Sequence, residues 1–255
     1  MTFNARGVFA VYRFELARWG RTLGQSLIAP VLTTALYLIV FGTAIGRNVP
    51  DVGTVSYAAF IIPGLIMLTV MTETLNNASF GIYMPKWAGT IYEVLSSPMS
   101  AFEIVLGYVG AATTKSVIIG LVIFATASLL TPVGVHNWPA MIGLLVLIAF
   151  TFALFGFILG VWAQNWEQLS AIPVLIITPL TFLGGTFYSI SMLPEPWDAV
   201  ALLNPIVYLV SAFRWSFFGE GDVSLPFSLG FLGAVLVLGL FVVWLIFRTG
   251  YRLKS

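Results

Sequence analysis

Apolar side chains run along this chain in six long stretches, separated by short intervals rich in glycine, proline and polar residues. The stretches cover residues 25–46, 56–80, 104–131, 139–164, 168–190 and 226–247. Each reaches the roughly 20 residues needed to cross about 30 Å of hydrocarbon as a helix. An even number of crossings puts both termini on one side. Arg6, Arg13, Arg18 and Arg21 precede the first stretch and Arg248, Arg252 and Lys254 follow the last, whereas the opposite loops hold only Arg47 and Arg214 as basic residues. The excess of positive charge predicts cytosolic termini. No small-residue cleavage pattern follows the first stretch, so it is expected to remain as a span.

Two further segments are neither spans nor ordinary loops. Over residues 1–24, Val8, Tyr12, Leu16, Trp19 and Leu23 share one helical face while Arg6, Arg13 and Arg21 lie opposite, the pattern of a helix lying in a membrane interface. The same arginines would also serve as a bare topology signal. Residues 191–223 contain IVYLVSAF, apolar enough to avoid water but too short to cross, and Pro194, Pro196 and Pro205 break the segment into pieces. Backbone at membrane depth must be helical or buried against protein, which predicts a re-entrant helical hairpin. Its acids Glu195, Asp198, Glu220 and Asp222 are expected at solvated ends. The fold expected is an all-α polytopic membrane protein with six transmembrane helices over 25–255, the interfacial helix before them and the hairpin between spans five and six.

Composition narrows the chemistry. With 59% hydrophobic and 8% charged residues and a mean hydropathy of +1.00, 255 residues could not be hidden in one water-soluble core. A net charge of +1 without a basic block argues against nucleic acid. Cysteine is absent, which removes disulfides, thiolate metal sites and thiol nucleophiles. The pair Lys115-Ser116 has Thr114 and Val109 where a phosphate-binding loop needs its two glycines, so no nucleotide site of that kind is expected. The single histidine, His136, sits in a short loop beside Asn137 and Trp138 without a second metal ligand nearby, the position of a solvated loop residue.

Charges inside spans are costly and mark function or structural pairing. Glu73 shares a face of the second span with Thr69, Asn76 and Asn77, and Lys115 lies a few turns into the third. These boundaries put Glu73 near the cytosolic edge and Lys115 deeper. The group reads either as polar glue between helices or as a substrate contact. The glycine pairs Gly42/Gly46 and Gly156/Gly160 permit close helix approach, and Gly184-Gly185 beside Pro179 suits a bend. A charged interval, residues 86–107, reads as a short helix, a turn near Pro98 and a second helix opened by Ser100 with Glu103 at capping-box spacing. A membrane protein with so little soluble mass that retains one such segment has a surface suited to docking; the alternative for Glu93 is a solvated loop residue.

The stretch TPLTFLGGTFYSISMLPEPWDAVALLNPIVYLVSAFRW, residues 178–215, resembles the signature region of ABC-2 type permeases through Pro179, Phe182, Gly184-Gly185, Pro194, Trp197, Asn204-Pro205 and Arg214. SYAAFIIPG, residues 56–64, is similar to the start of that family's second span, and IYEVLSSPMSAFEIVLG, with Glu93, Pro98 and Gly107, to its cytosolic coupling loop. The resemblance extends over essentially the whole chain and is nearest to small stand-alone permeases of bacterial exporters. It implies a subunit of the bacterial inner membrane that pairs with a second copy of itself and with two copies of a cytosolic ATPase. ATP and magnesium would reside on that ATPase, no cofactor or metal on this chain, and no bond chemistry would be done here. Ile91, Val94, Leu95 and Pro98 would meet the ATPase, with Glu93 facing a basic residue there and Glu103 stiffening the second helix. Phe182, Phe187 and Tyr188 would narrow the outer end of the path or simply pack, and Arg214, Glu73, Asn76, Asn77 and Lys115 complete the candidate path. The substrate class left open is hydrophobic, amphipathic or glycan-like. A self-sufficient secondary transporter or channel is the competing reading, and a membrane-embedded enzyme the third.

Overall fold

The computed structural model describes residues 3–46, 49–52 and 55–252. Arg47 and Lys254, two of the residues on which the charge argument rests, lie outside them. Among the described residues the regular structure is helical, apart from an isolated antiparallel bridge between Val52 and Val55. In order the helices are α1 (Ala5–Gly20), α2 (Leu23–Ile45), α3 (Tyr57–Trp87), α4 (Ile91–Ser96), α5 (Ala101–Leu130), α6 (Trp138–Trp162), α7 (Trp166–Thr186), α8 (Trp197–Ala201), α9 (Pro205–Phe218) and α10 (Leu225–Thr249). Six of them, α2, α3, α5, α6, α7 and α10, are long and apolar enough to cross a membrane.

Helix α3 is the core of the bundle. It is buried on all sides, with Ile61, Ile66, Met67, Val70 and Met71 fully enclosed, as expected of a helix without an apolar stripe. It also extends past the expected end at Phe80 to Trp87, continuing through Gly81 and Pro85 until Gly89, whose φ of +75° is a left-handed turn. Glu73 lies near the middle of α3 and lines one cavity with Gln25 and Ser26 at the start of α2 and Trp166 and Ser170 at the start of α7. The tightest interface is with α6. Gly160 sits against the carbonyl of Ser79 and Gly156 against that of Leu75, leaving no room for a Cβ at either position. Without a hydrophobic difference between lipid and protein, this close backbone approach supplies the dispersion contacts that hold such helices together.

Helix α7 is irregular where the sequence carries Pro173, Pro179 and Gly184-Gly185. Its turns are locally π-wound at Pro173 and Phe182, and Gly185, at φ +83°, leaves helical geometry altogether. Beyond the bend, α9 starts beside α7: Asn204 caps it by accepting from Ile206 N at 3.0 Å and donates to Leu180 O at 2.6 Å. Its other end reaches the loop before α6, where His136 and Asn137 donate to Phe217 O and Ser216 O at 3.0 and 2.9 Å. Val207 and Val210 of α9 are fully buried.

Replacing Gly160 by Leu is expected to destabilise the fold by about 1–3 kcal/mol through overpacking against α3. Leu at Gly143, which has open space around it, should be close to neutral. Thermal unfolding of the two purified variants checks the contrast.

Candidate functional site

Helix α1 lies along α5. Its contact face includes Val8, Val11, Tyr12 and Glu15, with Gly107 admitting Val11 and Tyr12 Oη meeting Thr114 Oγ1 at 3.0 Å. Glu15, in the middle of this face, is only 2% exposed. Its carboxylate takes Lys115 Nζ at 3.4 Å and Arg18 Nη2 at 2.7 Å. Lys115 is thus paired with Glu15 on α1, not with Glu73. Arg18 also covers the ring of Phe80 at 4.8 Å.

Beside this cluster opens a cavity of about 440 Å³ between α1, α2, α3, α5 and α7, lined by Arg18, Trp19, Gln25, Glu73, Asn76, Asn77, Phe80, Lys115 and Trp166 among others. Asn77 Nδ2 donates to Glu73 Oε2 at 3.3 Å, and the indole nitrogen of Trp19 is buried without a partner. Amide, carboxylate and aromatic groups therefore share one space beside the first turns of α2 and α7, where Glu73, Asn76, Asn77 and Lys115 do come together.

The remaining candidates are at the opposite end of the bundle. Phe182 and Phe187 stack with Tyr37 and Phe41 of α2, at centroid distances of 4.6–6.2 Å. Tyr188 Oη donates to Leu183 O at 2.7 Å, and burial, followed by the nearby Asp222 carboxylate, pushes its phenol up. Arg214 is not a loop residue. It is buried in α9, over the ring of Phe60 at 4.0 Å, with Nη1 donating to Asp222 Oδ2 at 2.5 Å and Nη2 donating to Gly185 O at the bend. Asp222, expected at a solvated end, has a side chain only 7% exposed; its other oxygen accepts from Ile190 N at 2.9 Å and from Ser189 Oγ. Such a site fits only a planar, multidentate cation.

The interval 86–107 divides into inward and outward residues. Ile91 is buried in the bundle at 1% exposure, and Val94 and Leu95 are half-buried against the same apolar cluster. Ile91 is thus enclosed by its own chain rather than free to enter another protein's groove. Glu93 and Pro98 are exposed. Glu103 turns inward: one oxygen accepts from Ser100 N at 2.6 Å, completing the capping box, and the other accepts from Asn4 N at 2.5 Å, the residue that caps α1.

The family profile described as ABC-2 type transporter matches residues 6–218. The inner membrane transport permease YadH of Escherichia coli K12 is 37% identical over 246 residues, 96% of each chain. The chain belongs to the ABC-2 type transporter family. More distant relatives include nodulation protein J of Rhizobium leguminosarum bv. viciae, 27% identical over 89% of this chain and 88% of the relative, and nodulation protein J of Rhizobium meliloti, 26% identical over 94% and 92%. The protein is accordingly a multi-pass inner-membrane permease of an ABC transporter, a class that works with an ABC ATPase.

In this ABC-2 permease Glu15 is the residue that sequence reasoning passed over. A lysine in mid-span demands an anion, and Glu15 on the adjoining amphipathic helix was the signal available. Among the described residues, no cluster of three or more metal-ligating side chains occurs. The ABC-2 permease variant Glu15→Leu leaves Lys115 buried without an anion and is expected to cost about 3–5 kcal/mol. Adding Lys115→Met should restore most of that loss, which thermal unfolding of the single and double variants measures.

Proposed function

We propose that this chain is the permease subunit of an ATP-driven exporter, acting as a homodimer with two copies of a cytosolic ATPase beneath the end that holds both termini. The observation that carries the reading is the construction of residues 86–107, in a chain whose match to the family runs unbroken through them. The segment exposes Glu93 and Pro98 at that end while Ile91 and Glu103 anchor it to the bundle. Arg6, Arg13 and Arg21, also exposed, belong to the same end and support its cytosolic assignment.

The transport step follows from the linkages. ATP and magnesium bind to the partner, and closure of the ATPase pair presses on α4 and the turn after it. That turn is tied to α1 through Glu103 and Asn4, with Asn4 Nδ2 also donating to Pro98 O at 3.2 Å. Helix α1 in turn holds α5 through Glu15 and Lys115, beside the polar cavity. Pressure on the segment thus moves α1 and α5 together and changes the width of the cavity. The chain supplies binding and motion, not bond chemistry. The α2 and α7 faces bearing Leu32, Leu36, Leu175 and Leu183 remain uncovered, and these are the faces assigned to the second copy. An amide-rich, aromatic-lined cavity among apolar helices suits a hydrophobic, amphipathic or glycan-like substrate.

Native mass spectrometry of the solubilised complex is expected to give two permeases and two ATPases; a transport-active chain without an ATPase would overturn the proposal. Glu93→Lys should weaken copurification of the ATPase on the order of tenfold by reversing a charge at the contact, with permease expression unchanged. In the cysteine-free background, Asp198→Cys is expected to react with an impermeant thiol reagent added from outside. Val207→Cys and Val210→Cys should react slowly, at rates that change when the ATPase is trapped with ATP.

A further inference from the structure

Helix α6 ends at Trp162 without a glycine cap, and its last carbonyls are taken by two cations from different parts of the chain. Lys86 Nζ donates to Val161 O and, at 3.1 Å, to Ala163 O; Arg252 Nη1 donates to Trp162 O at 2.6 Å. One basic side chain at a helix C-terminus is ordinary capping. Here two heads converge on three successive carbonyls. Among the described residues neither has a carboxylate within ion-pair distance, since the ion pairs formed are Arg18–Glu15, Lys115–Glu15 and Arg214–Asp222. Lysine and arginine retain donors that the carbonyls do not use.

An apolar groove begins beside them. Arg252 lies 5.9 Å from the ring of Trp162, and Trp162 lines a cavity of about 410 Å³ together with Leu159, Ile172, Leu209, Phe231 and Val235. No charged side chain contributes to its wall. Along α6 the groove reaches from Trp162 back to Phe152, roughly 15 Å at the helical rise of 1.5 Å per residue. A dry groove of that length in a membrane-spanning bundle accommodates hydrocarbon, and basic sites between spans recognise anionic head groups.

We propose that this groove and the Lys86–Arg252 pair form a site for one anionic phospholipid, with an acyl chain along α6 and the phosphate on the two cations. The proposal requires only that the six helices cross a bilayer; it is independent of transport direction, substrate and subunit count. The bound lipid would fasten α3, α6 and the end of α10 to one another at the end of the bundle that holds both termini.

The test uses the full chain in a neutral detergent, with lipid retention read by native mass spectrometry and affinity by thermal unfolding. Phosphatidylglycerol, phosphatidylcholine and inorganic phosphate are titrated separately. The expected result is a preference for phosphatidylglycerol over phosphatidylcholine on the order of tenfold or more. Lys86→Gln combined with Arg252→Gln should abolish that preference. Val235→Trp, which fills the groove and leaves both cations in place, should weaken both lipids, and it decides the matter if the double variant fails to fold. Equal affinity for the two lipids, or an unchanged preference in a folded double variant, overturns the proposal. So does unimpaired lipid binding by Val235→Trp, or a stabilisation by phosphate alone equal to that of phosphatidylglycerol.

Discussion

A charge carried into an apolar bundle must be neutralised by the protein itself, because hydrocarbon offers neither water nor counterion. Glu15 and Asp222 meet that demand here, and with Glu103, which accepts from backbone N–H groups, they fasten segments that are not spans to helices that are. Glu15 joins α1 to Lys115 in the middle of α5. Glu103 joins the start of α1 to the cap of α5. Asp222 holds Arg214, and through it α9 and the bend at Gly185. Removing any one of the three would loosen the attachment of a peripheral element while leaving the glycine-packed contact of α3 with α6 in place.

This arrangement separates the molecule into a scaffold and movable parts. The α3–α6 interface depends on backbone approach at Gly156 and Gly160, which tolerates no sliding because each glycine has its own seat. The peripheral elements combine apolar packing with polar links, as α1 does through Val11 against Gly107 and Glu15 with Lys115. The polar cavity lies where the two regimes meet, with Glu73, Asn76 and Asn77 on the rigid helix and Arg18, Trp19 and Gln25 on the peripheral side.

The order of elements was legible from hydrophobic length alone, since hydrocarbon thickness sets a minimum span that few other constraints imitate. Boundaries were less so. Helix α3 outran its expected end because Ile82 and Tyr83 beyond Phe80 still pack into the bundle and the helix continues through Pro85 to the left-handed turn at Gly89. The bend in α7 could be anticipated from Gly184-Gly185, for a left-handed φ is a property of the residue itself.

Partner choice could not be read in the same way. Hydropathy placed Glu73 and Lys115 in spans and made each a residue in need of explanation, but spacing along one helix does not say which other helix lies alongside. The docking of α1 gave Lys115 to Glu15 and left Glu73 facing the cavity with Asn77. Likewise Asp222 reads as one more loop acid until the return of α9 brings Arg214 beside it. The sequence by itself determined six apolar helices and the bend at Gly184-Gly185, because these follow from local composition and chain geometry. Only the tertiary structure decided which charges neutralise one another, because pairing depends on how the helices dock and how the chain turns between them, not on spacing along one helix.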